Sequence, residues 1–73
     1  MSHLPVCSGR DAVRVFQKIG YELDHQTGSH MIPRHASGRR LTVPDHRELA
    51  KGTLRALIRD AGLTVEQFIE LLK

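Results

Sequence analysis

Seventy-three residues read as a single domain spanning 1–73, with a core that supplies only a few kcal/mol of net stability. The one cysteine, Cys7, excludes an intrachain disulfide, and with no signal peptide and no apolar run long enough to cross a bilayer the chain reads as cytosolic, with no membrane role. The formal charge of +3 is unevenly spread: Arg34, Arg39, Arg40, Arg47, Lys51, Arg55 and Arg59 stand against only Asp45 and Glu48, the footprint of a polyanion site.

Ser8 and Asp11 form an S-x-x-D pattern that predicts an N-cap, and the stripe Ala12, Val13, Phe16, Ile19 follows at helical spacing until Gly20 ends the helix. Tyr21 to Gln26 alternates as a strand, with Tyr21 and Leu23 against Glu22 and Asp24. Thr27-Gly28 is predicted as the turn, and His30 to Arg34 as a second short strand. Pro33 has no N–H to give a ladder, so either that strand ends there or the proline nitrogen faces an unpaired edge. Ala36-Ser37-Gly38 makes the next turn, and Arg40 to Val43 is a third strand closed by Pro44.

From Thr53 onward, Leu54, Leu57, Ile58 and Ala61 predict a helix stopped by Gly62. Thr64 with Gln67 is a capping box opening a last helix with the stripe Val65, Phe68, Ile69, Leu72. Helix, three antiparallel strands, helix, helix is an α+β order, and it predicts a two-layer sandwich with one face of the sheet left open.

Several residues could carry chemistry. His30 follows a tight turn at the start of an apolar segment, and an imidazole both takes and gives a proton near neutrality. A turn at Thr27-Gly28 sets His25 opposite His30 and Leu23 opposite Ile32. His3 and His35 have no assigned role. The histidines show no H-x-H, no H-E-x-x-H and no cysteine pair, so neither a metal nor any other cofactor is expected. Ser29 cannot serve His30 as a nucleophile, because adjacent strand residues point to opposite faces. Cys7 reads as a small buried residue.

Lys51-Gly52-Thr53-Leu54-Arg55 is more specific. A helix N-terminus presents unpaired amides and partial positive charge, Gly52 removes a side chain that would block approach, and Lys51 and Arg55 add full charges. Arg59 continues the stripe, and Arg39 and Arg40 add to it at the start of the third strand. The competing account is an ordinary amphipathic helix with solvated arginines.

These residues give the chain a resemblance to the HicA-type toxins (YcfA-like), mRNA interferases of the HicA/HicB type II toxin–antitoxin family. It is carried by Leu4-Pro5-Val6 and the first helix, Gly20-Tyr21-Glu22, Gly28-Ser29-His30, Thr42-Val43-Pro44 with His46, Lys51-Gly52-Thr53-Leu54-Arg55 and Ile58-Arg59-Asp60-Ala61-Gly62-Leu63. The resemblance implies a double-stranded-RNA-binding-domain-like fold, α-β-β-β-α with an extra C-terminal helix, and makes His30 the catalytic residue of a metal-independent mRNA endoribonuclease. It also implies a HicB-like antitoxin as partner, with DNA engaged only through that antitoxin. Ile32-Pro33 departs from the bulky apolar or aromatic residue many members carry after the histidine. Gly28, Ser29, His25 and His46 are auxiliary candidates beside His30. Two other classes compete: a non-catalytic double-stranded-RNA-binding module, and an interaction protein that docks an acidic partner.

Overall fold

The computed structural model describes residues 3–73, leaving Met1 and Ser2 outside the described part. Helix α1 spans Gly9–Lys18, strands β1 and β2 span Tyr21–Thr27 and His30–His35, β3 is Val43–Pro44, and helices α2 and α3 span Lys51–Asp60 and Val65–Leu72. The strands form one antiparallel sheet in the order β1-β2-β3, so β2 is central. This is the predicted α+β order, with the extra C-terminal helix. Among the described residues no helix is long and apolar enough to cross a membrane.

The predicted N-cap at Ser8 and the predicted capping box at Thr64 are both present, and the first is a full capping box as well. The Ser8 and Thr64 hydroxyls accept the amides of Asp11 and Gln67, whose side chains accept the amides of Ser8 and Thr64 in return. Helix α2 begins at Lys51, two residues earlier than predicted, with Ala50 at its N-cap and no side-chain cap. It ends as predicted at Gly62, whose amide bonds to the Arg59 carbonyl while that of Leu63 bonds to Ile58.

Alternation decides the layers. Met31 and Pro33 of β2, Tyr21 of β1, and Leu41 and Val43 are buried on one face, under α1, which touches all three strands. Phe16 of α1 links Tyr21 and Phe68 of α3, each ring centroid 6.0 Å away, while Leu54, Leu57 and Ile58 of α2 complete the core. The opposite face of the sheet carries no helix and is mostly polar.

Three sequence expectations need correction. The hairpin loop is Gly28-Ser29, not Thr27-Gly28, so Thr27 pairs with His30 and His25 pairs with Ile32. A two-residue loop wants positive φ at its first central position, and Gly28 supplies it at φ 55°. Pro33 neither ends β2 nor lies on an edge: it is buried in the central strand, opposite Leu23. A bulge leaves Asp24 unpaired between Leu23 and His25 and shifts the alternation beyond it, so that His25 joins Ile32 on the open face and Gln26 pairs with buried Met31; Leu23, although it pairs with buried Pro33, is 42% exposed.

The third correction follows from that proline. The Leu41 amide donates to the Pro33 carbonyl at 3.0 Å, but Pro33 has no N–H to return to Leu41. The predicted third strand, Arg40 to Val43, therefore survives as a bridge at Arg34–Arg40 and the short β3, in one register on either side of the gap.

Candidate functional site

His30 is the first residue of the central strand, exposed on the open face with Thr27 on one side and Pro44 on the other. Its position rests on the turn before it. The Ser29 carbonyl accepts the Asp45 amide at 2.6 Å, and the Asp45 carboxylate takes Arg10 at 3.3 Å and Gln26 at 3.4 Å. One aspartate thus ties β1, the hairpin loop, the end of β3 and α1 together behind His30. Sequence reasoning missed Asp45, because its side-chain partners lie far off in the chain and leave no local pattern.

Gly9 fixes the same corner. Its amide donates to the His46 carbonyl at 2.9 Å, and a Cβ on Gly9 would lie 2.0 Å from the Pro44 carbonyl oxygen. Only a residue without a side chain lets α1 sit this close to the strand that flanks His30.

The other histidines separate by role. His25 shares the open face but stands diagonal to His30, with Nδ1 3.1 Å from Asp24 Oδ2. The predicted head-on pair is therefore a diagonal one, with strand positions about 7–8 Å apart by sheet geometry. His46 is exposed just beyond β3, and His3 is exposed near the start of the described residues. His35 is structural: its ring centroid lies 5.1 Å from that of Tyr21, and its Nδ1 accepts the Ser37 amide at 3.1 Å.

Helix α2 runs antiparallel to residues 40–44. Near its start the Leu49 amide bonds to the Cys7 carbonyl, two residues before Gly9 meets Pro44; at its end Arg39 Nη1 donates to the Asp60 carbonyl at 2.8 Å. The N-terminus of α2 therefore lies at the His30 end of the sheet. Lys51, Gly52 and Thr53 occupy the first turn, where no side chain caps the amides, and beyond its chain neighbours and the helix backbone nothing comes within 4 Å of a Cβ built on Gly52. That turn has the electrostatics and the room to receive an anion.

The predicted basic residues fall into two groups. Lys51 and Arg55 lie at the start and middle of α2, both exposed. Arg39, Arg40 and Arg59 come together with Asp60 around a cleft at the far end. Arg59 has Asp60 at 3.5 Å, so part of its charge is answered within the protein.

Among the described residues, the titrations of Cys7 and Asp11 are shifted. Burial, assisted by the nearby Asp11 charge, pushes the Cys7 thiol up, which keeps it neutral and unreactive. The hydrogen bonds from Ser8 hold the Asp11 carboxyl below the usual carboxylate range, with Arg14 assisting.

The chain matches none of the curated proteins it was compared with. A family model, that of the HicA toxin of bacterial toxin–antitoxin systems, matches residues 9–63. That span runs from the glycine packed against Pro44 to the residue that closes the end of α2, and it includes His30 and the first turn of α2. With most of its length so matched, the chain belongs to the HicA family of toxins from bacterial toxin–antitoxin systems.

Proposed function

We propose that this toxin, taken as one domain over residues 1–73, is a metal-independent endoribonuclease that cuts single-stranded or weakly structured mRNA, with His30 as its general base. The observation that carries the reading is an exposed imidazole on the open sheet face, at the same end of the sheet as the uncapped first turn of α2. His30 takes the proton of a ribose 2′-hydroxyl, the 2′-oxygen bonds to the adjacent phosphorus, and the bond from phosphorus to the 5′-oxygen breaks as that oxygen gains a proton. The products are a 2′,3′-cyclic phosphate and a free 5′-hydroxyl. His25, on the same face, and His46 are candidates for the acid; His30 itself can return the proton in a second step.

Lys51, Arg55 and the amides of Gly52 and Thr53 supply positive potential for the charge that builds on phosphorus. Arg39, Arg40 and Arg59 extend the electropositive path. Requiring a 2′-hydroxyl makes the reaction blind to DNA.

A toxin of this kind has an antitoxin partner. In this reading a HicB-like antitoxin covers His30 and the basic strip, and contact with DNA comes only through it.

The test is labelled RNA incubated with pure protein in EDTA, parent beside His30→Ala. Cleavage by the parent should persist in EDTA and vary with pH across the histidine range. His30→Ala should lose about 10² to 10⁴ in rate, the contribution of a positioned acid or base, and keep the parental stability to within about 0.5 kcal/mol, since the ring is exposed. Tight duplex binding without cleavage would favour the non-catalytic module, and a His30→Ala protein cutting at the parental rate would remove His30 from the mechanism.

A further inference from the structure

Arg34 and Arg40 stand directly opposite each other on neighbouring strands of the open face. The bonds that flank them, the His35 amide to the Arg39 carbonyl at 2.8 Å and the Leu41 amide to the Pro33 carbonyl at 3.0 Å, make theirs a non-hydrogen-bonded pair. In such a pair the Cα atoms are only about 4.5 Å apart. Like charges set this way destabilise a sheet. Glu22 opposes Arg34 from β1, one carboxylate beside two guanidiniums, yet among the described residues neither Arg34 nor Arg40 has a side-chain hydrogen-bond or ion-pair partner. Local rules broken without internal compensation mark places where a ligand supplies it.

Position says which ligand. A nucleotide repeat has twice the backbone bonds of a peptide residue, so an extended single strand advances by one phosphate for every second residue of a β-strand, about 6.6 Å. Residues on one face of a strand recur with that period. Along β2 the open face carries His30, Ile32 and Arg34 in turn.

We propose that Arg34 and Arg40 clamp an RNA phosphate two nucleotides from the one at His30, so that single-stranded substrate lies along β2 with Ile32 beneath the intervening nucleotide. The inference rests on the ribonuclease reading for the place of cleavage. A tetrahedral phosphate has oxygens enough for both guanidiniums, whereas a lone carboxylate is filled by one bidentate arginine.

The test separates binding from cleavage by using a fluorescent, unstructured 2′-O-methyl RNA, which has no 2′-hydroxyl to react. Arg34→Gln and Arg40→Gln should each weaken binding about three- to tenfold. The double variant should lower the slope of log affinity against log salt by about 0.7, one single-strand phosphate. Lys73→Gln, the same charge loss on a residue paired with Glu70, should change neither. The double variant should also melt at or above the parental temperature, because it removes the like-charge opposition.

When a single neutral methylphosphonate is moved along the oligonucleotide, the position that weakens the parent but not the double variant should lie two linkages from the cut in the matching RNA. Unchanged affinity and slope in the double variant, with cleavage intact, would overturn the clamp and leave His30 standing. Loss of affinity and slope with no cleavage by the parent would strike the ribonuclease reading and leave the pair as an RNA site. A loss confined to antitoxin binding would give the arginines to the protein partner and overturn the proposal.

Discussion

At the scale of single residues, the position most sensitive to a small change is Gly9. Alanine is normally the better helix residue by about 0.5–1 kcal/mol. Here its methyl would meet the Pro44 carbonyl at 2.0 Å, and backbone cannot swing aside as a flexible side chain can. Overpacking of this kind costs about 1–3 kcal/mol, so Gly9→Ala should be destabilising despite its helix propensity. Urea denaturation measures it, and a midpoint at or above the parental one would mean that α1 is not pinned to β3 as described. Because Pro44 flanks His30, RNA cleavage should fall as well.

Single elements are held at their ends more than along their lengths. Helix α1 is sealed by the reciprocal bonds of Ser8 and Asp11, and these hold the Asp11 carboxyl below its ordinary range. A carboxyl with a depressed folded-state pKa stabilises the fold fully above its unfolded value, about 3.9, and loses that contribution as pH falls toward the folded value. The parent should therefore melt above Asp11→Asn at pH 6, and the gap should shrink as pH falls below about 4. A gap of constant size down to pH 2 would show that the carboxylate charge contributes nothing to the cap. Helix α2 is the opposite case, since Ala50 leaves its first amides open, and the element gives up a cap where the proposed site needs free donors.

For the molecule as a whole, the helices leave one face of the sheet bare, and His30 stands on that face at the end where the first turn of α2 lies. A partner that silences the toxin has that bare face to cover. The antitoxin complex should suppress RNA cleavage and protect His30 from carbethoxylation, with both effects lost together on dissociation. An antitoxin that binds tightly while cleavage and His30 modification continue unchanged would place its contact elsewhere.

Local pattern by itself determined much of this protein: the two capping boxes, the stop at Gly62, the apolar stripes of the helices, the α+β order and the residues of the basic stretch are all short-range signals. The placement of Gly28 was legible too, since glycine followed by serine suits a two-residue loop better than threonine followed by glycine. Tertiary structure alone decided the rest. Pro33 is tolerated in the central strand because its missing N–H points toward the gap before β3, where only its carbonyl is bonded, and that gap cannot be read from one strand. Asp45 gathers groups from three other parts of the chain, Gly9 answers to a carbonyl thirty-five residues away, and Arg34 meets Arg40 only once the register is set. Spacing in a chain constrains what is near in sequence; a site assembled from the ends of several strands and helices depends on distances that only packing creates.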